Sequence, residues 1–165
     1  MFIFLLAALI AAAAVHVYRL EDRSLRRVGE IALLYLLVGY CGLPMLAMSI
    51  AVIVWPDQMA AHLGFPPGNP FQSFVGVSFL SMSLVSVLAL RYRSAYLIAP
   101  SVCWAVFFAG ATFIHIADYG SRGALDHGSA LAIFATHGLI SVLLVAALLS
   151  SGLLKGRSDP AAANR

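Results

Sequence analysis

The sequence predicts an all-α fold: one transmembrane domain, residues 1–165, in which five helices span a membrane, the N-terminus lies outside the cytoplasm and a short tail, 154–165, lies inside. Three observations carry this prediction. Hydrophobic residues form 62% of the chain and charged residues 10%, with a mean hydropathy of +0.94, far from the balance of a soluble domain. Five long apolar runs follow one another, and the basic residues between them fall on alternate connections.

The runs cover about residues 2–18, 31–55, 72–90, 95–117 and 129–153, each near the roughly 20 residues that cross about 30 Å of hydrocarbon as a helix. None shows strand alternation, and in lipid the backbone must satisfy itself, so helices are the fit. The first run contains Ala11 to Ala14, as a cleaved leader would, but it lacks a charged start and is read as a span. The second holds Pro44 in Gly39-Tyr-Cys-Gly-Leu-Pro44, where a lost backbone hydrogen bond predicts a kink. The third carries Gly76, Ser78, Ser81, Ser83 and Ser86, and the fourth repeats Ser101, Ala105 and Ala109. Small faces like these let helices approach closely, so bundle packing is their expected use. Trp55, Tyr119, Tyr18, Tyr92 and Tyr96 fall near span ends, as interfacial aromatics do, whereas Trp104 falls mid-span. The two cysteines, Cys41 and Cys103, lie inside apolar spans as small hydrophobes.

Orientation follows from charge. Arg19, Arg23, Arg26 and Arg27 lie on the first connection, Arg91 and Arg93 on the third, and Lys155, Arg157 and Arg165 in the tail; only Arg122 lies on the other side. The positive-inside rule places the rich side in the cytoplasm. The net charge of +3 is thus a matter of topology, and nucleic acid is excluded as a partner. Membrane lipids are the expected surroundings, with a second copy or a membrane-complex partner as candidates.

With this topology His62, His115, His127 and His137 gather on the outer half, together with Asp57, Asp118 and Asp126. Glu21, Asp22, Glu30 and Asp159 balance arginines or lie in the tail, and His16 reads as an interfacial side chain reaching for headgroups. His115 and Asp118, three apart, share a helix face and suit one metal ion or one shared proton. His137 lies about nine residues inside its span, roughly 13 Å deep, where an ionisable residue is a functional candidate. Its expected neighbours are Ser78 and Ser81 or, for copper(I), Met45 and Met48. Asp126, about three turns before His137, marks a further station of a polar funnel. On these depths His115 and His137 differ by about 9 to 10 Å, which argues against a haem held between them.

Pro56-Asp-Gln-Met-Ala-Ala-His-Leu-Gly64 reads as a short interfacial helix over the bundle mouth, begun by Pro56 and stopped by Gly64. Phe65-Pro-Pro-Gly-Asn-Pro-Phe-Gln72 follows as a rigid turn. The stretch from Gly64 to Gln72, with Gly110 and His115-Ile116, resembles a family of small prokaryotic multi-pass membrane proteins of unknown function over about residues 56–118. The resemblance implies a helical membrane fold in a prokaryotic inner (plasma) membrane and a site shared by Gln72 and His115. It implies no activity.

Two functions are expected. One is an outward-facing site in which His62, His115, Asp118 and His137 hold a metal, zinc or iron ahead of copper, with Asp57, Gln72, Ser78 and Ser81 contacting a small ligand. The other is a non-catalytic accessory or structural subunit of a larger membrane complex. A proton or ion conduit lacks a polar path, because the inner halves of the spans are apolar apart from serines, Tyr35 and Tyr40. No nucleophile motif, phosphate loop or paired-cysteine signature occurs, so no enzyme class is indicated.

Overall fold

The computed structural model describes residues 2–63, 66–68, 70–122 and 134–155. Helix α1, Phe2–Tyr18, is mostly exposed along its length. It ends in a turn where the Arg23 guanidinium donates to the carbonyls of Tyr18 (2.6 Å) and Leu20 (3.2 Å) and lies 5.1 Å from the Tyr18 ring centre. Ser24 caps α2, Leu25–Leu34, its hydroxyl accepting from the Arg27 N–H. Asp22 accepts from the Ser24 N–H (2.8 Å) and hydroxyl; these bonds, with Arg27 nearby, hold its carboxyl below the usual range against a small opposing effect of burial.

Helix α2 runs without a break through a π-helical segment, Tyr35–Gly42, into α3, Leu43–Val54. The 30 residues make one rod of about 45 Å. A π-helical segment lies immediately before Pro44, where the sequence predicts a departure from regular helix. Proline offers no N–H and its ring crowds the carbonyl four residues back, and the π turn immediately before it accommodates both demands. The rod also starts six residues earlier than the apolar run, at Leu25. Its first turns carry Arg26 and Arg27 outward, paired to Glu30 at 3.3 and 3.4 Å, while Gly29 and Ile31 are buried.

Helix α4, Pro56–Leu63, packs on the ends of α3 and α5 and buries Ala60 completely. Helix α5, Pro70–Val87, closes in a 3-10 turn, Leu88–Leu90, and a second such turn, Ser94–Leu97, opens α6, Ile98–Arg122. A short π-helical segment, Phe134–Gly138, leads into α7, Leu139–Ser150. No strand occurs among the described residues.

Three stretches, Leu25–Val54, Pro70–Leu90 and Ser94–Ala117, are long and apolar enough to cross a membrane; Ile3–Tyr18 and Thr136–Ser150 are apolar but shorter. They pack as a ring: α3 against α5, α5 against α6, α6 against α7, and α7 back against α2, with α1 outside against the rod. The rod therefore crosses the bundle, and its π segment touches α1, α5 and α6 at mid-height. Leu33, Leu37, Tyr40, Cys41, Trp104, Ile140 and Leu144 fill the centre. The small-residue faces are used in packing only in part, for Ser81 and Ala109 are exposed. Gly76, Ser83, Ser86, Ser101 and Ala105 are buried, and Ser141 of α7 donates to the Ala105 carbonyl at 3.0 Å.

Candidate functional site

The site is best built from the rod outward. Tyr40, in the π segment and 1% exposed, donates its hydroxyl to the Thr136 carbonyl at 3.1 Å, tying one π segment to the other. The neighbouring Thr136 hydroxyl lies 3.0 Å from His137 Nδ1. The His137 ring is then flanked from α6 by Phe108 and His115, each edge-to-face with centres 5.6 Å away. Phe108 in turn meets Tyr40 at 6.2 Å and Trp104 at 5.3 Å. Both imidazoles are partly buried. The result is a polar pair, His115 and His137, on an aromatic floor.

This meeting corrects the sequence reading in several respects. The depth difference of about 9 to 10 Å expected between His115 and His137 is not seen, for their ring centres lie 5.6 Å apart; α6 itself continues past the apolar span Ser94–Ala117 to Arg122. The supposed partners of His137 are committed elsewhere. Ser78 donates to the Phe74 carbonyl (2.9 Å) and Ser81 to the Ser78 carbonyl (2.8 Å), both within α5, because a helical serine satisfies itself on the preceding turn when nothing nearer accepts. Met45 is packed in the core cluster and Met48 against it, as space-filling side chains. His16 Nδ1 lies 3.3 Å from the Tyr35 hydroxyl, ring edge to face. The side chains of His62 and Asp118, and all of Asp126 and His127, lie outside the described residues. Among the described residues no group of three or more His, Cys, Asp or Glu is placed to hold a metal.

A second polar locus lies where α4 meets the start of α5. Asp57 and Gln72, with Pro56, Ala60, Gly68, Pro70 and Ser73, line a cavity of about 200 Å³. Asp57 Oδ1 accepts the Gly68 N–H at 2.8 Å, and Gln72 Oε1 is shielded from solvent without a hydrogen-bond partner. Gln72 thus shares a cavity with Asp57, whereas His115 faces His137. Tyr40, Phe108 and Thr136 were not singled out from the sequence as site residues. The one signal for Tyr40 was its place just before Pro44, where a helix is bound to depart from regular geometry.

Fold and site together define a class: a small all-helical protein of largely apolar helices, suited to a membrane, with a few polar residues drawn together between them. The chain belongs to the family of unknown function DUF6790, whose model matches residues 1–156, well beyond the stretch 56–118 on which the resemblance rested. No curated protein and no solved structure matches it.

Proposed function

We propose that this is a multi-pass membrane protein of five spans whose His115–His137 pair binds a transition-metal ion, zinc or iron, on the side away from the arginines. The observation that carries the reading is the 5.6 Å separation of the two ring centres across two helices. Two imidazoles ligating one ion at about 2.0 to 2.1 Å place their centres about 5 to 6 Å apart, so the pair needs little adjustment to become two ligands. Thr136 orients one ring from its second nitrogen side, the usual role of a supporting partner. Both π segments converge here, and π-helical turns frequently mark functional positions. Asp118, three residues after His115 on α6, is the proposed third ligand, and His62 of α4 is a further candidate. A small ligand would take the remaining coordination position.

Apolar outer faces support the membrane setting: Phe4, Phe113, Val106 and Ile114 are each at least 66% exposed, which suits lipid and not water. The test is elemental analysis of the purified full chain with His115→Ala, His137→Ala and a Ser81→Ala control. The wild type and the control are expected to hold stoichiometric zinc or iron. Either histidine variant should lose affinity by more than the roughly 10–100-fold that loss of a merely supporting residue costs. A wild type that takes up no metal, or histidine variants that hold it unchanged, would reject the metal site and favour an accessory subunit.

A further inference from the structure

A groove runs down the side of α1 where it meets the rod, and neither histidine of the pair lines it. Two cavities of about 440 Å³ each compose it, and both are lined by Ala13 and Ala32. Ile10, Ala13 and Val17 recur every three or four residues along α1, and Val28, Ala32 and Leu36 every four along the rod. Each set is therefore one helix face, and the cavities are consecutive lengths of one groove. Helix α7 adds a wall to one length of it through Leu143 and Ala147. Alanine on both helices keeps the gap open, since a larger side chain at either position would fill it. From Leu9 to Tyr18 the groove extends about 14 Å, close to half of the roughly 30 Å of hydrocarbon and hence one leaflet.

Its lower end is charged. Arg23, in the turn between α1 and α2, lines it together with Tyr18. The guanidinium is held in place, donating to the Tyr18 and Leu20 carbonyls at 2.6 and 3.2 Å and lying 5.1 Å from the Tyr18 ring centre. These bonds use only part of its N–H complement, and among the described residues no carboxylate pairs with it. The nearby acids are engaged elsewhere or face solvent: Asp22 accepts from Ser24, Glu30 pairs with Arg26 and Arg27, and Glu21 is exposed. We infer that this groove holds one acyl chain of an anionic phospholipid of the arginine-side leaflet, with the lipid phosphate on Arg23. The inference rests on the membrane setting proposed above and not on the metal site. Each part of such a lipid has its counterpart: the chain fits an apolar groove one leaflet long, and the phosphate meets a prearranged guanidinium that can bind two of its oxygens. Tyr18, 74% exposed, stands at the headgroup level as interfacial aromatics do. Arg19, exposed beside it and without a carboxylate partner among the described residues, favours a net negative headgroup over a zwitterionic one.

Native mass spectrometry of the full chain, released from detergent, counts the lipid it retains. The probes are phosphatidylglycerol, phosphatidylcholine with the same chains, and glycerol phosphate, which has the charge and no chain. Saturable retention of a single phosphatidylglycerol, tighter than that of phosphatidylcholine, is expected, and glycerol phosphate should not be held. Arg23→Gln should erase the preference, lowering affinity for phosphatidylglycerol about tenfold or more, the worth of a hydrogen bond between charged groups. Ala13→Phe fills the groove and should retain neither lipid. Arg93→Gln, which removes an exposed charge that does not line the groove, should bind as the wild type does. Equal retention of the two lipids, uptake without saturation, binding of glycerol phosphate, or wild-type binding by Arg23→Gln or Ala13→Phe would overturn the proposal. Flotation of the wild type with lipid vesicles tests the membrane setting separately. A chain that floats and retains no phosphatidylglycerol rejects the groove alone, and one that does not float rejects the setting as well.

Discussion

Trp104 takes a polar N–H into the middle of the bundle, and one hydroxyl decides what that costs. Its Nε1 donates to Ser86 Oγ at 2.7 Å, and Ser86 donates on to the Met82 carbonyl at 2.9 Å, so a tryptophan that looked misplaced mid-span is fully satisfied. Ser86→Ala removes the acceptor and leaves the N–H buried and unpaired. A loss of about 1 to 3 kcal/mol is expected in thermal unfolding of the detergent-solubilised protein. Ser81→Ala, at an exposed position whose hydroxyl serves only its own helix, should change stability by less than about 0.5 kcal/mol. Equal effects at the two positions would show that the Trp104–Ser86 bond does not hold α5 to α6. Serines at neighbouring positions thus do different work, and only the rotation of the helix tells them apart.

At the scale of elements, the rod from Leu25 to Val54 organises the rest, and Gly29 sets its closest approach to α7. A Cβ built on Gly29 would stand 2.5 Å from the Ser151 nitrogen and 2.8 Å from the Ala147 carbonyl, backbone atoms that a rotamer change cannot move aside. Gly29→Ala must therefore displace the end of α7, an overpacking worth about 1 to 3 kcal/mol in the same unfolding measurement. Gly110→Ala on α6 meets nothing within 4 Å and should be neutral or stabilising, because alanine favours a helix interior over glycine by roughly 0.5 to 1 kcal/mol. If the Gly110 variant proved the more damaging, the α2–α7 contact would not be the tight one. The π segment acts on the same scale. It lets the rod pack on α7 below and α5 above while sending Tyr40 to Thr136 between them.

At the scale of the whole molecule, the arginine-rich turn before α2, the turn Ser94–Leu97 beside Arg91 and Arg93, and the closing turn Leu153–Lys155 contact one another or α2, so their basic residues gather at one end of the bundle. Arg122 belongs to the far end of α6. With the proposed orientation, a cysteine at Arg122 should react with an impermeant thiol reagent applied outside and one at Lys155 should not, in a background where the exposed Cys103 is replaced. The opposite pattern would invert the topology. The helical class, the apolar stretches and this segregation of charge were legible in the sequence because each is a local response to lipid as solvent: composition, run length and flanking charge suffice. The neighbour relations were not. That His115 meets His137, that Tyr40 reaches Thr136 and that Gln72 turns to Asp57 instead of to His115 depend on where α6 ends, how far each helix is rotated, and where a π turn shifts the register. Those quantities are set by packing between segments distant along the chain, and no single run of residues carries them.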